Sequence, residues 1–223
     1  MSRAGTTRVR EVSIACGAEN LQGLLRTSER GLGIVLFAHG SGSSRFSKRN
    51  TYVAEALRTA GFSTLLFDLL TAAEEQVDEQ TAELRFDIPL LTERLLVASR
   101  WVLDQPELRD LPMGYFGAST GAAAALAAAA RMPEVAAVVS RGGRPDLAGP
   151  ALPRVRAPTL LIVGGDDTEV LALNRRAQAQ LRCAVEVAIV PGATHLFEEP
   201  GTLEEVARLA GDWFAAHMRA RPG

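Results

Sequence analysis

The sequence predicts an α/β protein: a mostly parallel central sheet, helices on both of its faces, and an antiparallel hairpin at the amino-terminal end. Three observations carry this. Short apolar, β-branched runs alternate with helix-period patterns along most of the chain. Several of these runs are apolar at every position, as strands buried on both faces are. The first two runs are joined by a turn with no helix between them, which reads as a hairpin.

Taken in order, Val9–Ala15 and Leu21–Thr27 are the two hairpin strands, with Cys16 to Asn20 as the turn. Ile34–Ala38 is a buried strand ending at His39-Gly40, too short to be a helix. Asn50–Ala60 has Tyr52, Val53, Ala56, Leu57 and Ala60 on one helical face and Gly61 as its stop. Ser63–Phe67 is the next buried strand, and Ile88–Leu103 a long helix ending before Pro106. Met113–Phe116 is a strand, Thr120–Arg131 an alanine-rich helix, and Val135–Val139, Thr159–Val163 and Ala184–Val190 are further strands. Val170–Leu181 and Thr202–Met218 are helices, the last with Leu203, Val206, Ala207, Leu209, Ala210, Trp213 and Phe214 as its apolar stripe. No repeat at a fixed period is present.

Two connections are irregular. Leu69 to Asp87 carries Glu74, Glu75, Asp78, Glu79 and Glu83 with few cations, which reads as a solvated segment or short helix, or as a flap beside a pocket. Ser140 to Pro158 contains Pro145, Pro150, Pro153 and Pro158, so it cannot be one regular element. Neither is long enough for a separate cap, so residues 1–223 are expected to form a single domain without one. The site is then expected to be shallow and open.

Composition removes several function classes. The chain has 24 Lys and Arg against 26 Asp and Glu, a net charge of −2, which argues against binding nucleic acid or membrane mainly through charge. Hydrophobic residues make up 47%, ordinary for a globular chain. The two cysteines, Cys16 and Cys183, are too few for a disulfide scaffold and are expected as free thiols. Met1 to Glu11 has three arginines but no apolar stretch, so no secretory leader is expected. The longest apolar run, Ala122–Ala130, is far short of a membrane span. A cytoplasmic location follows by default, and a homo-oligomer is left open.

The chemistry centres on Gly117-Ala118-Ser119-Thr120-Gly121, between a strand and a helix. Glycine–x–serine–x–glycine in that setting puts the serine on a tight elbow above the sheet, with the helix amino terminus aimed at any oxyanion formed there. A serine nucleophile needs a base, and the base an orienting acid. Of the histidines, His39 precedes Ser119 and is in the wrong chain order. His217 sits near the end of the last amphipathic helix, where a solvated side chain is expected. His195, in Pro191-Gly192-Ala193-Thr194-His195 after a strand, is the expected base. Asp166 and Asp167, which follow Leu160 to Gly165, are the acid candidates; the one not used would be a turn residue or a cap ahead of the following helix. The backbone N–H of Thr120 and that of Ser41, with Gly42 as alternative, are the expected oxyanion donors. Arg141 and Arg144, after the strand next to the nucleophile's own, are candidates to clamp a carboxylate or phosphate of a substrate, although surface arginines capping carbonyls or pairing with Asp146 would look the same. No His, Cys and Asp cluster has metal spacing, so no metal or cofactor is expected.

The order HGSGSS, GASTG, LLIVGGDD, PGATH, running from about Arg8 to His217, resembles the α/β-hydrolase superfamily and its compact dienelactone-hydrolase-like branch. The resemblance implies that the acid is Asp167, because Gly164, Asp167 and Val170 fit the family's glycine–x–x–aspartate–x–x–valine pattern. It departs at the nucleophile, cysteine in the founding members and Ser119 here, which favours a general serine-esterase mechanism. The implied activity is hydrolysis of a small soluble ester, lactone or thioester through an acyl-enzyme. Acyl transfer or perhydrolysis by the same triad, or a non-catalytic binding protein of the same fold, are the alternatives.

Overall fold

A computed structural model describes residues 9–218. The first eight residues, part of the stretch examined for a leader, lie outside them, as do residues 219–223. Eight strands form one sheet: β1 (Val9–Cys16), β2 (Glu19–Arg26), β3 (Ile34–Ala38), β4 (Ser63–Phe67), β5 (Met113–Ala118), β6 (Val135–Arg141), β7 (Thr159–Gly164) and β8 (Val185–Val190). Their spatial order is β1-β2-β4-β3-β5-β6-β7-β8. β1–β2 and β2–β4 are antiparallel and every other pairing is parallel. The expected α/β sheet with its leading hairpin is therefore what the chain forms.

The helices are α1 (Lys48–Ala60), α2 (Ala72–Thr81), α3 (Ile88–Asp104), α4 (Thr120–Ala129), α5 (Thr168–Gln178) and α6 (Thr202–His217). Side chains alternate across the central strands, giving two apolar layers. Ile34, Leu36 and Ala38 of β3 pack on the side of α3 and α4, and Val35 and Phe37 on the side of α1 and α6. β3, β4, β5 and β7 are buried at every position, which is why they read as unbroken apolar runs.

Local differences from the sequence reading have simple causes. The hairpin turn is tighter than Cys16 to Asn20: Cys16 pairs with Glu19, so only Gly17-Ala18 turns, and Gly17 takes φ +65°. Tyr52 is exposed rather than on the buried face of α1, and Asn50 is buried in its place. Gly61 ends α1 in the left-handed conformation, as expected. The acidic 69–87 stretch folds as α2 plus a single 3-10 turn, Leu84–Phe86. A capping box starts α2: Thr71 accepts from the Glu74 N–H while the Glu74 carboxylate accepts from the Thr71 N–H. Asp78 is buried rather than solvated, because the Arg85 N–H and guanidinium both donate to it. The 145–154 link is a 3-10 segment broken at Gly149, in line with its prolines. Cys16 and Cys183 are free. No helix among the described residues is long and apolar enough to cross a membrane.

Candidate active site

The loops that carry the candidate residues all leave the carboxyl ends of the parallel strands, where open α/β sheets bind ligands. Ser119 follows β5 at φ +51°, ψ −123°, one of only three non-glycine residues with positive φ among those described. Such a backbone costs on the order of 1–3 kcal/mol and persists only where its surroundings enforce it. The enforcement is steric. A Cβ on Gly121 would lie 2.2 Å from the Ala38 carbonyl oxygen, and one on Gly117 would lie 2.4 Å from the Ala122 Cα. Both glycines are needed for the elbow to close against β3 and α4. Ser119 is further held by its own N–H, donated to the Arg141 carbonyl at 3.3 Å, and by the Arg144 N–H, donated to the Ser119 carbonyl at 3.1 Å.

Asp167 and His195 are brought together. His195 donates its Nδ1–H to Asp167 Oδ2 at 2.7 Å, with the Asp167 carboxylate largely buried and the imidazole partly exposed. Asp167 occupies the N-cap position of α5, but its side chain makes no cap bond; it turns to the imidazole instead. Asp166 is exposed, with its N–H donated to the Ala193 carbonyl. His195 reaches the nucleophile's neighbourhood through Gly142, where a Cβ would be 3.6 Å from His195 Cε1. No hydrogen bond between Ser119 Oγ and His195 is formed among the described residues; in unliganded sites this contact is often long and tightens with substrate. His217 is partly buried rather than fully solvated, its ring tilted 52° against Trp213 with centroids 4.3 Å apart.

Ser41 and Thr120 line one narrow cleft with Leu69, Leu70, Glu75 and Arg85. The Thr120 N–H is the first of α4 and has no intrahelical acceptor. The loop bearing Ser41 is pinned from below. The Arg45 N–H donates to Asp68 Oδ1 at 2.7 Å, the Arg45 guanidinium pairs with the same carboxylate, and the Leu69 N–H donates to His39 Nε2 at 3.1 Å. His39 donates its Nδ1–H to the Gly40 carbonyl, so it is a neutral brace for this loop. Burial pushes its pKa below the ordinary 6.5. The unfolded chain therefore takes up a proton at His39 that the folded chain resists. Stability is full above about pH 6.5 and falls as pH drops from there toward the folded value. The melting temperature of wild type is expected to fall between pH 7 and 5 more steeply than that of His39→Gln; parallel slopes would contradict the assignment.

Two residues of the 69–87 stretch line this cleft, Glu75, named there among its acids, and Arg85, which was not singled out. Arg85 is fixed on Asp78 by three hydrogen bonds, and its Nη1 lies 3.4 Å from where a Cβ on Gly42 would be. Burial first, and then the charge of Asp78, raise the pKa of Glu75. The sequence signal for Glu75 was the acidic stretch read as a flap beside a pocket, and for Arg85 its place as the one cation in that stretch. Of the proposed clamp residues, Arg144 is engaged by Asp146 through two hydrogen bonds of 2.9 and 2.8 Å, the pairing foreseen as its alternative. Arg141 is buried without a carboxylate partner among the described residues.

The family model of the dienelactone hydrolase family matches residues 21–217. A dienelactone hydrolase from Anabaena variabilis superposes with a TM-score of 0.94 at 56% identity, covering 96% of this chain and 99% of that one. An esterase domain from a Rhodothermus marinus protein shares the fold, with a TM-score of 0.75 at 22% identity over 95% of this chain and all of that one. Two provisionally named phosphoribosyl transferases of Mycobacterium tuberculosis are 58% identical over 212 residues, 95% of this chain but 47% of theirs. The chain thus spans about half the length of these curated relatives. With a family match over most of its length and a 56% identical relative superposing over 96% of it, the chain belongs to the dienelactone hydrolase family.

Proposed function

We propose that the protein is a serine hydrolase acting on small, soluble esters, lactones or thioesters through an acyl-enzyme. One observation carries this: Asp167 pairs with His195 at 2.7 Å, and His195 lies against Gly142, whose neighbour Arg141 accepts the N–H of the strained Ser119. His195, with its Nδ1–H held by Asp167, keeps Nε2 free to take the Ser119 proton as Oγ attacks the carbonyl. The oxyanion then receives the Thr120 and Ser41 N–H groups at the positive end of the helix. The imidazolium, stabilised by Asp167, returns the proton to the leaving group. Water, activated by the same imidazole, releases the acid. No step calls for a metal or organic cofactor.

Ser119 is only partly buried and His195 partly exposed, which suits small or accessible substrates rather than long lipids under a lid. The transferase name of the tuberculosis relatives belongs to chains of which this one matches under half, so it carries no weight for this site. A panel of p-nitrophenyl esters of increasing chain length, with two lactones, tests the proposal. Turnover should be greatest for short acyl chains, with an initial burst of p-nitrophenol. No turnover on any ester, lactone or thioester would overturn it.

A further inference from the structure

Arg141 ends β6 and, by strand alternation from Ala137 and Val139, points to the α1 and α6 side of the sheet. Its side chain has an unusual position for an arginine: the residue is 7% exposed, and Nε and Nη1 are sealed from solvent with no hydrogen bond. No carboxylate pairs with it among the described residues. Burial, and then the like charge of Arg49 in the first turn of α1, bring its pKa down to about 10. Arg49 is similarly placed, with Nε sealed and unbonded; its Nη1 pairs with Glu198, whose side chain is well exposed. Arg49 thus pairs with Glu198, next to the Phe197 that faces Arg141, and among the described residues that exposed carboxylate is the paired counter-charge for the two guanidiniums. The Phe197 ring, 5.9 Å from the Arg141 guanidinium carbon, offsets only part of that charge. An uncompensated buried cation is among the costliest arrangements a fold can keep.

The region adjoins the reacting centre. The Arg141 carbonyl accepts the Ser119 N–H, and the next residue, Gly142, packs against His195. We propose that Arg141 and Arg49 form an anion subsite beside Ser119 and His195 that holds a phosphate group carried by the ester substrate. The inference rests on the hydrolase reading for the bond that is cleaved; the phosphate itself is bound, not transferred. Among the described residues no hydrogen bond engages the Arg141 guanidinium, and that of Arg49 donates only to Glu198, so both retain unused donors. A tetrahedral phosphate accepts from two guanidiniums at once, and its double charge offsets both, where a carboxylate offsets one.

The alternative is that Arg141 only props Phe197 and the His195 loop, in which case its loss harms all substrates alike. Hydrolysis of 1-butyrylglycerol 3-phosphate and of 1-butyrylglycerol separates the two. Wild type should prefer the phosphorylated ester. Arg141→Met and Arg49→Met should each cut that preference on the order of tenfold, chiefly through KM, and Arg141→Lys should keep part of it. Arg49 is partly exposed, so Arg49→Met decides the matter if Arg141→Met does not fold. Inorganic phosphate should compete with the phosphorylated ester, and acetate should compete less well. Equal loss on both esters, or cleavage of both by wild type with no preference, would overturn the subsite even if phosphate binds. Calorimetric titration with phosphate needs no turnover. Phosphate binding that weakens in Arg49→Met with neither ester cleaved would remove the hydrolase reading and keep the anion site; both esters cleaved equally with no phosphate binding would do the reverse.

Discussion

Replacing Ser119 by alanine is expected to lower kcat on p-nitrophenyl butyrate by about 10^4-fold or more, while KM changes little. The size follows from the role. Without Oγ no acyl-enzyme forms, and only the oxyanion donors and substrate positioning remain, which by themselves retain a small part of the acceleration. Alanine at this position keeps the Cβ and so leaves the elbow's packing against Gly40 and β3 in place. The backbone strain at φ +51° is present in both proteins, so the melting temperature should move little. A loss of less than tenfold in kcat would show that another group attacks the substrate.

Asp167→Asn is expected to cost kcat on the order of 10^4-fold, and Asp166→Asn no more than a few-fold. At 2.7 Å from His195 Nδ1, the Asp167 carboxylate can only accept, which forces the proton onto Nδ1 and leaves Nε2 as a base. An asparagine amide at that place can donate to Nδ1 instead. That moves the ring proton to Nε2, where the serine proton must go, and the attack stalls with the geometry nearly intact. Asp166 is exposed and makes no hydrogen bond to the imidazole among the described residues, so its charge is screened by solvent. Kinetics on purified variants, with KM and kcat separated, check this pair. A larger effect at Asp166 than at Asp167 would reverse the assignment of the acid.

Much of this was legible in the chain itself. Buried parallel strands such as Ile34–Ala38 and Ser63–Phe67 announce themselves because both faces must be apolar, and their limits in the sequence and the structure coincide. The Ser119 elbow was readable because its glycines are forced by contacts of 2.2 to 2.4 Å that no side chain could survive. What sequence could not show is which side chains the fold brings into contact. Asp78 looked solvated because charge runs usually are; Arg85, seven residues on, makes its burial tolerable. The nearby Arg141 and Arg144 looked equivalent. Only the fold shows that Asp146 holds Arg144, while the buried Arg141 guanidinium faces the Phe197 ring. The choice between Asp166 and Asp167 rested on a family pattern, because one residue of loop geometry decides which carboxylate meets the imidazole.

Covalent labelling with a fluorophosphonate, followed by mass spectrometry of the peptides, tests the central claim most directly, since it needs no knowledge of the substrate. The phosphonyl group should appear once, on the peptide carrying Ser119, at a rate that falls sharply in His195→Ala, and Ser119→Ala should take up none. A labelled Ser119→Ala protein, or an adduct on any other residue of wild type, would contradict the account.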